Sequence, residues 1–141
     1  MKFPALFNPA SEGGFTVTFR DVPEAISEGD TLEEAKTMAL DALLTAMEFY
    51  FEAGRAVPAP SKTKDGEHLI ALAPSIAAKV HLLNARQASK MKSVDVARAM
   101  RIKPQELARV YDLKHSTKID TIAAAMQAMG YDLEMKISPT R

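Results

Sequence analysis

Four polar residues in the second half of the chain have the types and the spacing that reading DNA bases requires. They are Lys103, Gln105, Glu106 and Arg109. In the major groove Gln pairs with adenine, Arg pairs with guanine, and Glu accepts a hydrogen bond from cytosine N4. Three of them stand at the start of a short predicted helix, and Arg109 follows about one turn later. The pattern predicts recognition of base pairs, which is binding and not covalent chemistry.

A second set of basic and polar residues suits contacts with the DNA backbone. Such side chains position a protein on the duplex without reading its sequence. Because His115 lies beside Lys114 and Lys118, it is interpreted as facing phosphate or water. The predicted backbone contacts are Lys90, Lys92, Lys114, His115, Ser116, Thr117 and Lys118.

The chain lacks the residue patterns that catalysis by metal ions or by an activated nucleophile needs. The histidines His68, His81 and His115 lie far apart and form no HExxH spacing. Asp21 is a lone carboxylate at a strand end, whereas a two-metal nuclease needs several converging carboxylates. There is also no Gly-x-Ser-x-Gly elbow and no glycine-rich phosphate loop. We therefore predict that the chain is not an enzyme and uses no metal and no cofactor.

Two short helices joined by a tight turn would hold the base-reading residues. Segments 93–100 and 104–112 are predicted helices, and Pro104 occupies a first helical position, where its missing N–H costs nothing. Ala97 is small, so the second helix can cross the first closely. Four apolar side chains would fill the wedge between the helices. They are Met100, Ile102, Leu107 and Val110.

This segment resembles the Xre/Cro/phage-repressor type of helix-turn-helix. The resemblance implies that residues 104–112 form the recognition helix, which lies in the major groove. Many members carry glycine in the turn, where this chain has Arg101. A positive φ at that position would strain an arginine modestly.

The first half is predicted to be a small α+β layer. Segments 3–7 and 15–19 are strand-like and would form a hairpin through a Gly-Gly turn, with a third short strand around 25–26. Residues 31–53 read as a long helix, and 68–72 as another strand. Thr31 is the predicted N-cap, paired with Glu34 in a capping box. Pro4 predicts that the first strand is an edge strand or turns Pro4 outward.

The predicted domain boundary separates residues 1–73 from residues 74–141. The second domain would be helical, with further helices at 75–86 and 119–129 and a terminal strand at 131–137. Because an exposed apolar strand invites pairing, that strand and nearby helices are predicted to mediate dimerisation. Two-fold symmetry would then place two recognition helices on a palindromic site.

The formal net charge of zero hides a strong asymmetry between the two halves. Residues 1–74 contain 6 Lys or Arg and 12 Asp or Glu, and the remaining residues contain 12 and 6. A basic domain suits nucleic acid, and an acidic domain suits a basic protein. The chain has no cysteine, which fits a reducing, cytoplasmic setting. Residues 1–8 lack the apolar run of a signal peptide, and no apolar stretch reaches the length of a membrane span.

The motifs of the first half resemble the HicB antitoxin family. A strand ending in Asp-x-Pro at 21–23 precedes Gly-Asp-Thr at 29–31 and the Glu-Ala at 34–35 in the first turn of the long helix. Segments 42–52 and 57–61 also resemble this family, as does the attached helix-turn-helix, although some members carry a ribbon-helix-helix instead. The resemblance covers nearly the whole chain and rests on the order and spacing of the motifs together.

The resemblance implies an antitoxin with two tasks. The first domain would adopt a partial RNase H-like fold without nuclease activity and would neutralise a small basic HicA-type toxin that cleaves mRNA. The second would repress its own operon as a dimer or higher oligomer bound to operator DNA. An acidic surface can steer toward a basic toxin. The predicted toxin contacts are Glu12, Asp21, Glu24, Glu28 and Asp30.

A different interpretation is a stand-alone transcription regulator with the same DNA-binding domain. Its first half would sense a small molecule and would need a concave apolar pocket. Aromatic residues make up only 6% of the chain, which argues mildly against such a pocket. A short basic coding sequence next to the gene would favour the antitoxin.

Overall fold

The computed structural model describes residues 1–140. It divides the chain into two compact units, Met1–Ala77 and a second that begins at Ala78. The division falls inside a helix and four residues after the boundary between 73 and 74 that the sequence suggests. Among the described residues, no helix has both the length and the apolar character to cross a membrane.

The first unit contains a four-stranded antiparallel sheet. Its strands are β1 (Lys2–Pro9), β2 (Phe15–Thr18), β3 (Ile26–Gly29) and β4 (Glu67–Ala71), and their order across the sheet is β3-β2-β1-β4. The β1–β2 hairpin that the sequence predicts is present. The third and fourth strands also form near their predicted positions.

Both alternatives predicted for Pro4 are wrong. β1 is an interior strand of the sheet, and Pro4 is buried. The strand accepts a proline because β1 pairs with β4 up to Leu6 and with β2 only from Leu6 onward. Pro4 therefore has a neighbouring strand on one side only, and its missing N–H need not interrupt a second ladder.

The long helix α1 (Leu32–Glu52) begins at the predicted capping box. The Glu34 N–H donates to Thr31 Oγ1 at 3.1 Å. The Glu34 carboxylate accepts from the backbone N–H of Asp30 at 3.3 Å, one residue before the N-cap itself. These bonds satisfy two donors that would otherwise lack partners at the helix start.

One face of α1 covers the sheet and forms the core of the first unit. The alternation of β2 is confirmed, because Val17 and Phe19 are buried and Thr16 and Thr18 belong to the other face. Burial of this apolar area is the main favourable contribution to folding. The buried residues of α1 are Ala35, Ala39, Leu43, Ala46, Met47 and Tyr50.

A carboxylate joins the loop after β2 to the end of α1. Tyr50 Oη donates to Glu24 Oε1 at 2.6 Å, and Arg55 Nη1 donates to Glu24 Oε2 at 3.2 Å. The Arg55 guanidinium also lies 4.1 Å from the centre of the Tyr50 ring. The bond from Tyr50 is the largest cause that lowers the pKa of Glu24 below its ordinary value of 4.5, because it stabilises the carboxylate.

Glu24→Gln is expected to lower the Tm at pH 7. A depressed pKa contributes stability above the ordinary value, and this contribution is lost as the pH falls through the folded-state value. The difference in Tm between variant and wild type should therefore shrink below about pH 4.5. Thermal unfolding followed from pH 3 to pH 7 measures it, with the exposed Glu52→Gln as control. A difference that persists unchanged at the lowest pH would contradict this account of Glu24.

The second unit is built from helices at the predicted positions. They are α2 (Pro74–Ala88), which begins in the first unit, α3 (Ser93–Met100), α4 (Pro104–Val110) and α5 (Ile119–Ala128). Gly130 follows α5 with a φ of +90°, which a glycine adopts without steric cost.

The predicted terminal strand is absent from the structure. Residues 131–140 have no regular secondary structure, and Met135 and Ile137 are 82% and 95% exposed. Apolar and charged residues do alternate in this segment, but a strand also needs a partner for its backbone N–H and C=O groups. No strand of this chain pairs with the segment among the described residues.

The turn between α3 and α4 has the strained conformation that the sequence suggests. Arg101 is the C-cap residue of α3 and has φ +59° and ψ +41°. Its backbone N–H donates to the carbonyl oxygens of Ala97 and Arg98 in the last turn of the helix. A left-handed conformation costs a residue with a Cβ about 1–2 kcal/mol. The arginine at this position is therefore less stable than a glycine would be.

Arg101→Gly is expected to raise the free energy of unfolding by about 0.5–1 kcal/mol, since glycine removes the strain but adds unfolded-state entropy. Urea denaturation of the full chain measures the change. Arg98→Gly is the matched control, because it removes the same charge within α3 and should destabilise by about 1 kcal/mol. Loss of stability in both variants would show that the turn is not strained.

Candidate functional site

The four predicted base-reading residues lie together on an exposed part of α4. Lys103 is the N-cap residue of α4, and Gln105, Glu106 and Arg109 follow on the helix. All four are exposed. Pro104 occupies the predicted position at the start of the helix.

The opposite side of α4 packs into the second unit. Leu107 is 1% exposed and Val110 5% exposed, while Val96 and Ala97 of α3 are buried. Met100 and Ile102 are half-buried at the turn. Because the inner residues fix the orientation of α4, its outer residues form a defined surface available for binding.

The loop after α4 presents the predicted backbone contacts. Lys114, His115 and Lys118 are exposed, and Thr117 is half-buried. The Lys114 N–H donates to Asp112 Oδ1 at 3.0 Å, and the His115 N–H donates to Asp112 O at 3.1 Å. These local bonds form a tight turn directly after the helix.

Lys79, which the sequence analysis missed, holds this loop from the interior of the second unit. Lys79 of α2 donates hydrogen bonds to the loop and is 2% exposed. Lys79 lies three residues after Ile76 and four before Leu83, in the apolar stripe of α2. This position gave the only available signal, since a charged residue in such a stripe has to find partners. The interpretation of α2 considered only its apolar members.

An acidic cavity of about 410 Å³ lies in the first unit, beside the start of α1. Three of the predicted toxin contacts, Glu12, Glu28 and Asp30, line it together with Glu34. Gly29 lies between two of them and approaches α1 so closely that an added Cβ would come within 2.4 Å of the Ala35 nitrogen. This close packing places the carboxylates of β3 and of α1 around one opening.

The other two predicted toxin contacts are not part of this cavity. Asp21 accepts hydrogen bonds from the Ser61 N–H at 2.8 Å and the Ser61 hydroxyl at 2.5 Å, and its side chain is only 10% exposed. Glu24 is bound by Tyr50 and Arg55 as described above. Both carboxylates hold loops of the first unit in place.

A salt bridge between Arg20 and Glu67 links the end of β2 to β4. Arg20 Nε donates to Glu67 Oε2 at 2.9 Å, and the bond to Arg20 is the largest cause that lowers the pKa of Glu67. Arg20 also donates to the backbone oxygen of Lys62. Four carboxylates of the first unit thus line the cavity, whereas those of Asp21, Glu24 and Glu67 are paired inside the unit.

Among residues 1–140, no three His, Asp or Glu side chains are arranged as a set of metal ligands. The four carboxylates of the cavity present a negative surface. Such a surface suits cationic side chains of a partner.

The sequence is similar to known antitoxins. A family model described as "HicB_like antitoxin of bacterial toxin-antitoxin system" matches residues 2–81. Antitoxin HicB 2 of Photorhabdus laumondii subsp. laumondii is 49% identical over 135 residues, which cover 96% of this chain and 95% of that protein. Antitoxin HicB 1 of the same organism is 45% identical over 137 residues, with 97% and 87% covered. Antitoxin HicB of Escherichia coli strain K12 is 42% identical over 135 residues, with 96% and 98% covered.

Proposed function

Because the chain belongs to the HicB-like antitoxin family of bacterial toxin–antitoxin systems, we propose that it neutralises a HicA-type toxin and represses its own operon. The first unit, with its partial RNase H-like fold, binds the small basic toxin that cleaves mRNA. The second unit binds operator DNA through a helix-turn-helix formed by α3 and α4. The proposed toxin-binding domain is residues 1–73, and the proposed DNA-binding and dimerisation domain is residues 74–141.

The acidic cavity is the observation that carries the first half of the proposal. A toxin that binds RNA needs cationic side chains to hold phosphates. An acidic partner attracts that same surface and speeds the encounter. Glu12, Glu28, Asp30 and Glu34 converge on the cavity, and occupation of the toxin's basic surface would exclude its RNA substrate.

Two observations support the second half of the proposal. The residues predicted to read bases are all exposed on α4, whereas the apolar residues of the same helix are buried. The chain after residue 74 has 12 basic and 6 acidic residues, which attracts the phosphate backbone. The exposed loop at 112–118 supplies cations next to α4.

Dimerisation through the C-terminal segment completes the proposal. Met135 and Ile137 are almost fully exposed, and two copies of this segment can satisfy each other's backbone groups as an intermolecular ladder. A two-fold axis would set the two recognition helices about 34 Å apart, one turn of DNA. Repression of a palindromic operator follows from that symmetry.

Deletion of residues 131–141 is expected to convert the proposed dimer into a monomer, because it removes the segment whose backbone would pair between copies. Light scattering of the full-length and truncated chains at the same concentration measures the mass. The double substitution Met135→Ser and Ile137→Ser, which keeps the backbone, separates apolar packing from strand pairing. A truncated chain that stays dimeric would place the interface elsewhere.

A stand-alone regulator is a less well supported alternative. Its small-molecule pocket would have to lie in the first unit, where the described cavity is lined by four carboxylates. An apolar ligand would not gain from such a lining. The high identity to antitoxins over nearly the whole chain also favours the toxin partner.

Co-expression with the small basic protein encoded by an adjacent gene tests the proposed function. The complex should survive pull-down through a tag on this chain, and the toxin in it should no longer cleave RNA. The same chain should shift a duplex taken from the region upstream of its own gene. A toxin that cleaves RNA undiminished in the presence of this chain would remove the antitoxin function.

A further inference from the structure

Lys79 stands out in the second unit because it is a charged residue buried almost completely. Its exposed fraction is 2%, and it is the one buried residue with a charged side chain among those that the structure describes. Burial lowers the pKa of Lys79 below its ordinary value, because the charged form loses solvation. An apolar residue at this position of α2 would avoid that cost.

The ammonium group of Lys79 makes a complete set of hydrogen bonds. Nζ donates to the Asp112 carbonyl at 3.1 Å, to the His115 carbonyl at 3.1 Å, and to Thr117 Oγ1 at 2.7 Å. A protonated lysine has three N–H donors, so each donor has one acceptor. All three acceptors belong to the loop that follows α4.

The bonds extend from Lys79 to the exposed surface of the loop. Thr117 Oγ1 lies 3.4 Å from His115 Nδ1, so the hydroxyl that accepts from Lys79 can donate to that ring nitrogen. The two carbonyls belong to residues that flank Lys114 in the turn. The positions of Lys114 and His115 are therefore set from inside the unit by the ammonium.

We propose that Lys79 is a positioning residue for DNA binding, which holds the loop at 112–118 so that Lys114, His115 and Lys118 meet the phosphate backbone beside α4. This inference rests on the proposed binding of operator DNA. Lys79 itself touches no DNA, because its ammonium is enclosed by the loop.

Lys79→Met tests the proposal, because methionine keeps the volume and removes all three donors. The probe is the duplex from the region upstream of the chain's own gene, titrated with the full-length protein at several salt concentrations. We expect affinity at least about tenfold lower than that of the wild type. Each lost phosphate contact should also reduce the slope of log K against log salt by about 0.9. Lys64→Met, which removes an exposed cation outside the DNA-binding unit, is the matched control.

The salt slope separates a positioning role from a purely stabilising one. A variant that is only less stable lowers the fraction of active protein and leaves the slope unchanged. A second readout is additivity: Lys114→Ala should cost affinity in the wild type and little in the Lys79→Met background. Two effects that add fully would show that Lys79 does not act through Lys114.

Lys79→Gln provides the test if the methionine variant does not fold. It is neutral but keeps two N–H donors, so an intermediate loss of slope is expected. A folded variant with wild-type affinity and slope would overturn the role of Lys79 while operator binding stands. A wild-type chain that shows no affinity for the duplex would overturn operator binding itself, and the role of Lys79 with it.

Discussion

Reversal of charge at Glu28 and Asp30, by Glu28→Lys and Asp30→Lys together, is expected to weaken toxin binding about 100-fold, which corresponds to about 3 kcal/mol. Both side chains are exposed and line the acidic cavity. The substitutions replace two attractive charges with two that repel a basic partner. Most of the loss should lie in the association rate at low salt, because exposed charges act mainly by steering.

A matched pair of substitutions shows whether the position or the net charge matters. Glu52→Lys and Asp65→Lys change the net charge of the first unit by the same amount, and both positions are exposed outside the cavity lining. Surface plasmon resonance with immobilised toxin gives both rate constants for each variant. Equal losses in the two pairs would show that the overall charge attracts the toxin and that the cavity is not its binding site.

The sequence identifies the acidic residues of the first unit but does not distinguish those paired within the unit from those that line the cavity. Composition alone indicated that the first half is acidic, and the expected basic partner led to five acidic candidate contacts. Sequence cannot show which carboxylates already have partners. Asp21 is bonded by Ser61, which is distant in the chain, whereas Glu28 and Asp30 come together with Glu34 through the close packing at Gly29.

Local signals predicted most of the elements because their causes are local. The Thr31 capping box, the proline at the start of α4 and the glycine after α5 each act within a few residues. The strain at Arg101 was also foreseen from a single position in a turn. These features need no knowledge of the remainder of the fold.

The wrong predictions concern partners that lie elsewhere in the chain or beyond it. Pro4 was predicted to lie in an edge strand or to face outward, because the sequence does not show that β1 pairs with one strand along its first part and with another along its second. The strand at 131–137 was predicted from alternation, yet within one chain it finds no partner among the described residues. Lys79 was missed since its three acceptors lie more than thirty residues away.

Arg109→Ala is expected to lower operator affinity by about 1–3 kcal/mol, the usual contribution of an arginine that reads a guanine with two hydrogen bonds. Arg109 is exposed on α4, one turn after Gln105 and Glu106. Loss of a base contact should also relax specificity at one position of each half-site. Fluorescence anisotropy with the operator and with duplexes substituted one base pair at a time measures both effects.

Lys114→Ala is the matched control for Arg109→Ala, because it distinguishes loss of a phosphate contact from loss of a base contact. Lys114 lies in the exposed loop after α4, and a phosphate contact there should weaken all duplexes alike while lowering the salt slope by about 0.9. The two variants remove the same charge but differ in what they should lose. If Arg109→Ala also weakens every duplex equally, Arg109 contacts the backbone, and sequence readout must come from Gln105, Glu106 or the shape of the DNA.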